Sequence, residues 1–193
     1  MDLVALEEIR QVKYRYLRCV DLKLWDELAE VFTTDATVDY GTMVYGQPLA
    51  LAGRAEIVAF LRDKLGPDLI TVHSAGQPEI TVDGDQATGT WSFEDTVFAT
   101  AHRVVIKGAA FYQDRYRRGA DGRWRIAHTG YVRTYEAMLS LDDLPSFRFT
   151  AKLGAQHAGA EGARAEGARA EGAGAGGAGA RGAGVQGADA GVR

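Results

Sequence analysis

The chain switches from one hydrophobic period to another. Up to residue 65 apolar side chains recur mostly at helical spacing, and from residue 70 they recur at every second position. Leu3 to Val20 predicts an amphipathic helix, with Leu6, Ile9, Val12, Tyr16 and Cys19 on one stripe. Asp21 interrupts it, and Leu22–Phe32 predicts a second helix burying Leu24, Leu28, Val31 and Phe32. Ala36–Tyr40 reads as a short strand, Gly41–Ala52 as a loop rich in Gly and Pro, and Ala55–Leu65 as a third helix. Strands are then predicted at Ile70–His73, Glu79–Val82, Ala87–Ala99, Val104–Arg117 and Arg123–Tyr135, with Asp83-Gly84 and Asp121-Gly122 as hairpin signals. Helices followed by antiparallel strands predict an α+β domain: a long, curved, mostly antiparallel sheet with three helices across one face and a conical pocket between them.

One position breaks the alternation. In Ala87–Ala99 the residues Ala87, Gly89, Trp91, Phe93, Val97 and Ala99 share a parity, and Asp95 falls among them. A carboxylate facing a core needs a partner or a wet pocket, because burying an unpaired charge costs on the order of several kcal/mol. Either the strand frays or bulges near Asp95 and exposes it, or Asp95 stands at the mouth of a ligand cavity.

Composition sets the frame for that acid. Residues 1–152 carry every Trp, Phe and Tyr of the 193-residue chain, enough for one core. Residues 153–193 are an Ala/Gly-rich tail in which Glu161-Gly-Ala-Arg-Ala repeats at Glu166 and, with a Gly substitution, at Glu171. That five-residue period fits neither helix nor strand and offers nothing large to bury, so disorder is expected. The net charge of −4 and the scattered basic residues argue against nucleic acid as a partner. No apolar run is long enough to span a bilayer, no signal-peptide pattern opens the chain, and Cys19 stands alone; a reducing cytoplasm is the expected home.

Few residues suit catalysis. Tyr16 lies on the apolar stripe of the first helix, where it reads as a core tyrosine or as a hydroxyl facing a pocket. Asp21, between two predicted helices, reads first as a cap for the second. His73 ends a short apolar strand, as a structural or exposed imidazole or as a general base. Arg133 shares a parity with Tyr131 and Tyr135, opposite Trp124, Ile126 and Val132; it is either solvated or the counter-charge for Asp95. The four histidines lack metal-ligand spacing, and neither a phosphate-cradling Gly loop nor a nucleophile elbow occurs. A Tyr, a His, two acids and an Arg suit acid–base catalysis with no cofactor and no metal.

Several strings are familiar in series. Tyr16-Leu-Arg-Cys-Val-Asp21 followed by Leu24-Trp25-Asp26-Glu27-Leu28 resembles the opening of SnoaL-like proteins of the nuclear-transport-factor-2-like superfamily. Pro78-Glu-Ile-Thr-Val-Asp83, Ala87-Thr-Gly-Thr-Trp91, Glu94-Asp95, Gly108-Ala-Ala-Phe-Tyr112 and Thr129-Gly-Tyr-Val-Arg133-Thr-Tyr-Glu136 resemble one branch, the bacterial bile-acid 7α-dehydratases, relatives of scytalone dehydratase. The resemblance runs from Leu6 to Glu136. It implies a cone-shaped α+β barrel, usually a homotrimer, without metal or cofactor, that takes a small hydrophobic polycyclic ligand. It places catalytic roles on Tyr16, Asp21, His73, Asp95 and Arg133. The chain departs from that branch at Gly76, where a further His would stand, and in the loops Gly41–Ala52 and Ala99–Val104.

The resemblance thus implies elimination of water from a hydroxylated steroid-like or polyketide-like carbonyl compound. Isomerisation or cyclisation of such a compound needs the same acids and bases, and a binding module of the same fold would need only the pocket.

Overall fold

The computed structural model describes residues 2–42 and 49–151. The Ala/Gly-rich tail and residues 43–48 of the expected loop lie outside the described residues. The elements run α1 (Leu3–Leu22), α2 (Trp25–Val31), β1 (Phe32–Tyr40), β2 (Leu49–Ala52), α3 (Arg54–Lys64), β3 (Leu69–Asp83), β4 (Gln86–Ala99), β5 (Val104–Arg118) and β6 (Trp124–Ser140). The strands form a six-stranded sheet ordered β2-β1-β6-β5-β4-β3. Neighbours pair antiparallel except β1 and β6, which are parallel. With β2 and β3 as free edges, the curved sheet stays open. The α+β cone expected from the sequence is therefore present, as an unclosed wall with α1 packed on β3 and β6.

Local chemistry accounts for most element ends. Asp2 caps α1 by accepting the Ala5 N–H at 3.0 Å. Ala5, Ile9, Val12, Tyr16, Leu17 and Val20 bury its inner stripe. The helix does not stop at Asp21 but runs to Leu22. It closes at Lys23, in the left-handed region (φ 61°), whose N–H points at the Cys19 and Val20 carbonyls. Asp21 therefore does not cap α2, whose N-cap position is Leu24, with no side-chain bond. Gly84 and Gly122 take the positive φ that the two hairpin turns require.

Three further expectations change. Phe32 opens β1 rather than ending α2, and Leu49–Ala52, read as loop, pairs with β1 as β2. The two strands predicted over residues 70–73 and 79–82 are one strand, bent by a bulge between Gly76 and Glu79 where Gln77 takes φ 50°. Their polar joint looked like a break, but the continuous ladder of β4 holds both halves.

The face assignment in β6 is also corrected. A register shift opposite Arg115 and Tyr116 inserts Ala127, and a second opposite Ala109 and Ala110 inserts Thr134. Each extra residue flips the parity. Trp124 and Ile126 therefore share the inner face with Thr129, Tyr131 and Arg133, while Val132 and Tyr135 face outward. In β4 the expected parity holds, with Ala87, Trp91 and Phe93 buried. Each large apolar side chain so buried contributes roughly 1.5–3 kcal/mol, which fixes the register against a one-residue slip.

Candidate functional site

The site grows from one row across the inner face of the sheet. His73 of β3 lies opposite Asp95 of β4, Asp95 opposite Gly108 of β5, and Gly108 opposite Glu136 of β6. Asp95 is only 6% exposed, so it has not frayed into solvent. Arg133 reaches across to it: Nη1 donates to Oδ1 at 2.6 Å and Nη2 to Oδ2 at 2.9 Å. Nη2 also pairs with Glu136 Oε2 at 3.2 Å, and Thr42 Oγ1 donates to the same oxygen at 3.0 Å.

Burial works against the charge of Arg133, but the hydrogen bonds and charge of Asp95, with Tyr131 and Glu136, outweigh it and raise its pKa further. The guanidinium lies 4.8 Å from the Tyr131 ring centroid and 5.5 Å from that of Phe93.

Gly108 makes this reach possible. A Cβ there would collide with Arg133 Nη1 and stand 2.8 Å from Asp95 Oδ1. The sequence signal was weak, a glycine inside an otherwise strong strand.

Asp21 belongs to His73. The last turn of α1 brings its carboxylate to β3, where Oδ2 accepts the His73 backbone N–H at 2.9 Å and Oδ1 accepts from Nδ1 at 2.6 Å. Nδ1–H so engaged makes Nε2 the nitrogen that carries the lone pair when the ring is neutral. The imidazole stacks on Phe93 at 5.8 Å between centroids. A groove of about 370 Å³ between α1 and β3 reaches this dyad, lined by Tyr14, Leu17, Arg18, Asp21, His73, Ser74 and Ala75.

Tyr16 is buried, and its hydroxyl lies 3.0 Å from that of Tyr40, at the C-terminal end of β1. Burial first, and neighbouring tyrosines next, raise both phenols well above their ordinary range, so both are neutral donors. One hydroxyl donates to the other, so the O–H of the accepting hydroxyl is not used within the pair. Tyr112 and Tyr131 complete this aromatic wall, each edge-on or tilted against Phe93 or its neighbours. Tyr40 was legible only as the last inward member of the Ala36, Val38, Tyr40 alternation.

Beneath these residues lies a second buried charge pair that the sequence reading missed. Lys13 Nζ stands 2.8 Å from Asp114 Oδ2, with both side chains fully buried. Asp114 also accepts from Tyr116 at 2.6 Å and from Thr129 at 2.7 Å, and Trp91 donates to Tyr116 at 3.0 Å. The ammonium lies 3.2 Å from the Tyr112 ring centroid. Burial pulls the Lys13 pKa down to about 8, against the attraction of Asp114.

Among the described residues no group of three or more His, Cys, Asp or Glu is placed to hold a metal ion. None of their helices is long and apolar enough to cross a membrane.

Residues 1–130 match the model of the SnoaL-like domain, and the chain belongs to that family. The uncharacterized protein Rv2910c of Mycobacterium tuberculosis is 31% identical over 134 residues, covering 68% of this chain and 87% of its own. Among solved structures, a hexachlorocyclohexane dehydrochlorinase (LinA-type3) from Novosphingobium barchaimii superposes with a TM-score of 0.64 at 18% identity, over 77% of this chain and 96% of that one. A protein provisionally assigned as a scytalone dehydratase, from Novosphingobium aromaticivorans, superposes with a TM-score of 0.62 at 19% identity, over 78% and 93%. At these identities the two structures share the cone fold with this chain.

Proposed function

We propose that this chain is a cofactor-independent dehydratase that removes water from a hydroxylated, steroid-like or polyketide-like carbonyl compound. The observation that carries the reading is the Asp21–His73 dyad set directly opposite Asp95 and its Arg133 clamp.

The carbonyl, directly or through a conjugated double bond, acidifies a C–H beside the carbon that bears the hydroxyl, and His73 Nε2 takes that proton as the C–H bond breaks. The electron pair moves onto the carbonyl oxygen, where the O–H not used within the Tyr16–Tyr40 pair stabilises it. As the enolate collapses, the C–O bond to the hydroxyl breaks. The imidazolium returns the proton to the departing oxygen, so water leaves and no proton is consumed overall. Both Asp95 oxygens accept from Arg133, so Asp95 acts by fixing the guanidinium, which faces the charge that develops on the departing oxygen.

Support also comes from the two lines of resemblance: the sequence strings similar to those of bile-acid 7α-dehydratases, and a fold shared with a hexachlorocyclohexane dehydrochlorinase and with a protein provisionally assigned as a scytalone dehydratase. The same resemblance supports a homotrimer, which light scattering would test.

The test is turnover of 3-oxo-4-ene steroids carrying a 7-hydroxyl, free and as thioesters. Mass spectrometry should find a product lighter by one water, absorbance should report lengthened conjugation, and both signals should vanish in His73→Ala. A product of unchanged mass would instead assign isomerisation, and saturable binding of an unaltered ligand would assign a binding module.

A further inference from the structure

Lys23 stands near the dyad, and the proposed mechanism does not use it. It closes α1 in the left-handed conformation, which folds its side chain back toward the sheet. There Nζ donates to Thr71 Oγ1 at 3.0 Å. Thr71 is 4% exposed and precedes His73 by two residues on the same face of β3, about 7 Å along the strand.

A half-buried ammonium ordinarily finds a carboxylate or extends into water. Lys23 does neither. Among the described residues its hydrogen-bond partner is a neutral hydroxyl. The acid that acts on it from a distance is Asp21, whose two oxygens are already taken by His73. Burial lowers its pKa, and Asp21 only partly restores it. Beside the groove residues, two positions along β3 from His73, there is thus a partly buried positive charge without a bonded counter-ion among the described residues.

We propose that Lys23 is the docking point for a carboxylate on the ligand, so that the site selects organic acids over neutral compounds of the same shape. The proposal rests on the reading above for its position beside His73, and not on the elimination itself. An ammonium held by one threonine can turn two N–H bonds to an incoming carboxylate, and partial burial strengthens that pairing relative to open water. Arg133, by contrast, is already occupied by Asp95 and Glu136.

The experiment is calorimetric titration of the full chain with 2-naphthoate and with the isosteric 2-naphthamide. Naphthoate should bind roughly ten- to a hundredfold more tightly, the range expected for one charged hydrogen bond. Lys23→Met should abolish that preference and Lys23→Arg should keep it. His73→Ala should also keep it, which separates Lys23 from a protonated imidazole as the binder. Equal binding of the two probes, binding of neither, or a preference that survives Lys23→Met would overturn the proposal. The wild-type comparison decides even if a variant fails to fold. The two readings also fail separately. A Lys23-dependent preference with no steroid turnover would sink the steroid dehydratase alone, and turnover with no preference would sink the carboxylate site.

Discussion

Asp21 holds His73 at two points, the backbone N–H at 2.9 Å and Nδ1 at 2.6 Å, across 52 positions of sequence. One carboxylate thereby sets both where the strand sits and how the ring is turned. Replacing it with Asn should leave the ring able to flip or tautomerise. We expect Asp21→Asn to lower kcat by about two orders of magnitude or more with a smaller effect on KM, as loss of the correct imidazole tautomer does elsewhere. His73→Ala should lose roughly two to four orders. Steady-state kinetics of both variants checks this, and an Asp21→Asn enzyme with undiminished kcat would remove the dyad from the mechanism.

The Tyr16–Tyr40 pair makes a different prediction, because the two phenols form one hydrogen-bonded unit. Tyr16→Phe and Tyr40→Phe should each cost about a hundredfold in kcat, the loss typical of one oxyanion donor. The double variant should cost far less than the product of the two, since the pair acts as a unit. Burial holds both phenols well above the ordinary value of 10.0, so neither should produce a fall in rate below that pH. A kinetic cycle over the four proteins, with a pH profile, tests both statements; additive losses would show that the hydroxyls act separately.

Gly108 is where packing and function meet. Gly108→Ala should force Arg133 off Asp95, because the new methyl occupies the space of Nη1. The expected cost is about 1–3 kcal/mol of stability from overpacking, together with most of the activity. Asp95→Asn should keep the shape yet leave one Arg133 N–H facing an amide N–H, losing activity with a smaller loss of stability. Urea unfolding measured beside turnover separates the two. A Gly108→Ala protein with wild-type stability and rate would mean that the clamp is not needed.

Asp95 was legible because a strand alternation isolates one wrong residue, and that signal needs no partner strand to read. Asp114 carried the same signal among Ala110, Tyr112 and Tyr116, and Lys13 carried it on the apolar stripe of α1. Those two turn out to meet each other beneath the candidate site. Parity thus finds buried charge without saying whether it serves a ligand or a neighbour. What parity could not give is anything set by pairing between distant segments. The inserted residues Ala127 and Thr134 exist only relative to β5, and they decide which face Trp124 and Tyr135 take. Asp21 looked like a helix end because aspartate is a poor helix former and a good cap. Its actual role depends on His73, which no local pattern connects to it.

The Lys13–Asp114 pair gives the last prediction, in stability rather than rate. Asp114→Asn should cost about 3–5 kcal/mol, since it leaves an ammonium buried without its counter-charge. Lys13→Met should cost less, because Tyr116 and Thr129 still donate to Asp114. The pH dependence has a definite sign. Burial, opposed by Asp114, brings Lys13 down to about 8 in the folded protein from an ordinary 10.5. Between those values the unfolded chain holds a proton that the native state has released, so native stability gains as pH rises. Below about pH 8 both states are protonated and the full cost of burying the charge is present. Relative to Lys13→Met, the wild type should therefore gain up to about 3 kcal/mol between pH 8 and 10.5, at about 1.4 kcal/mol per pH unit. Paired denaturation curves across that range measure the difference directly. A gap that stays flat, or moves the other way, would mean that the Asp114 carboxylate and the Tyr112 ring hold the ammonium charged as firmly as water does.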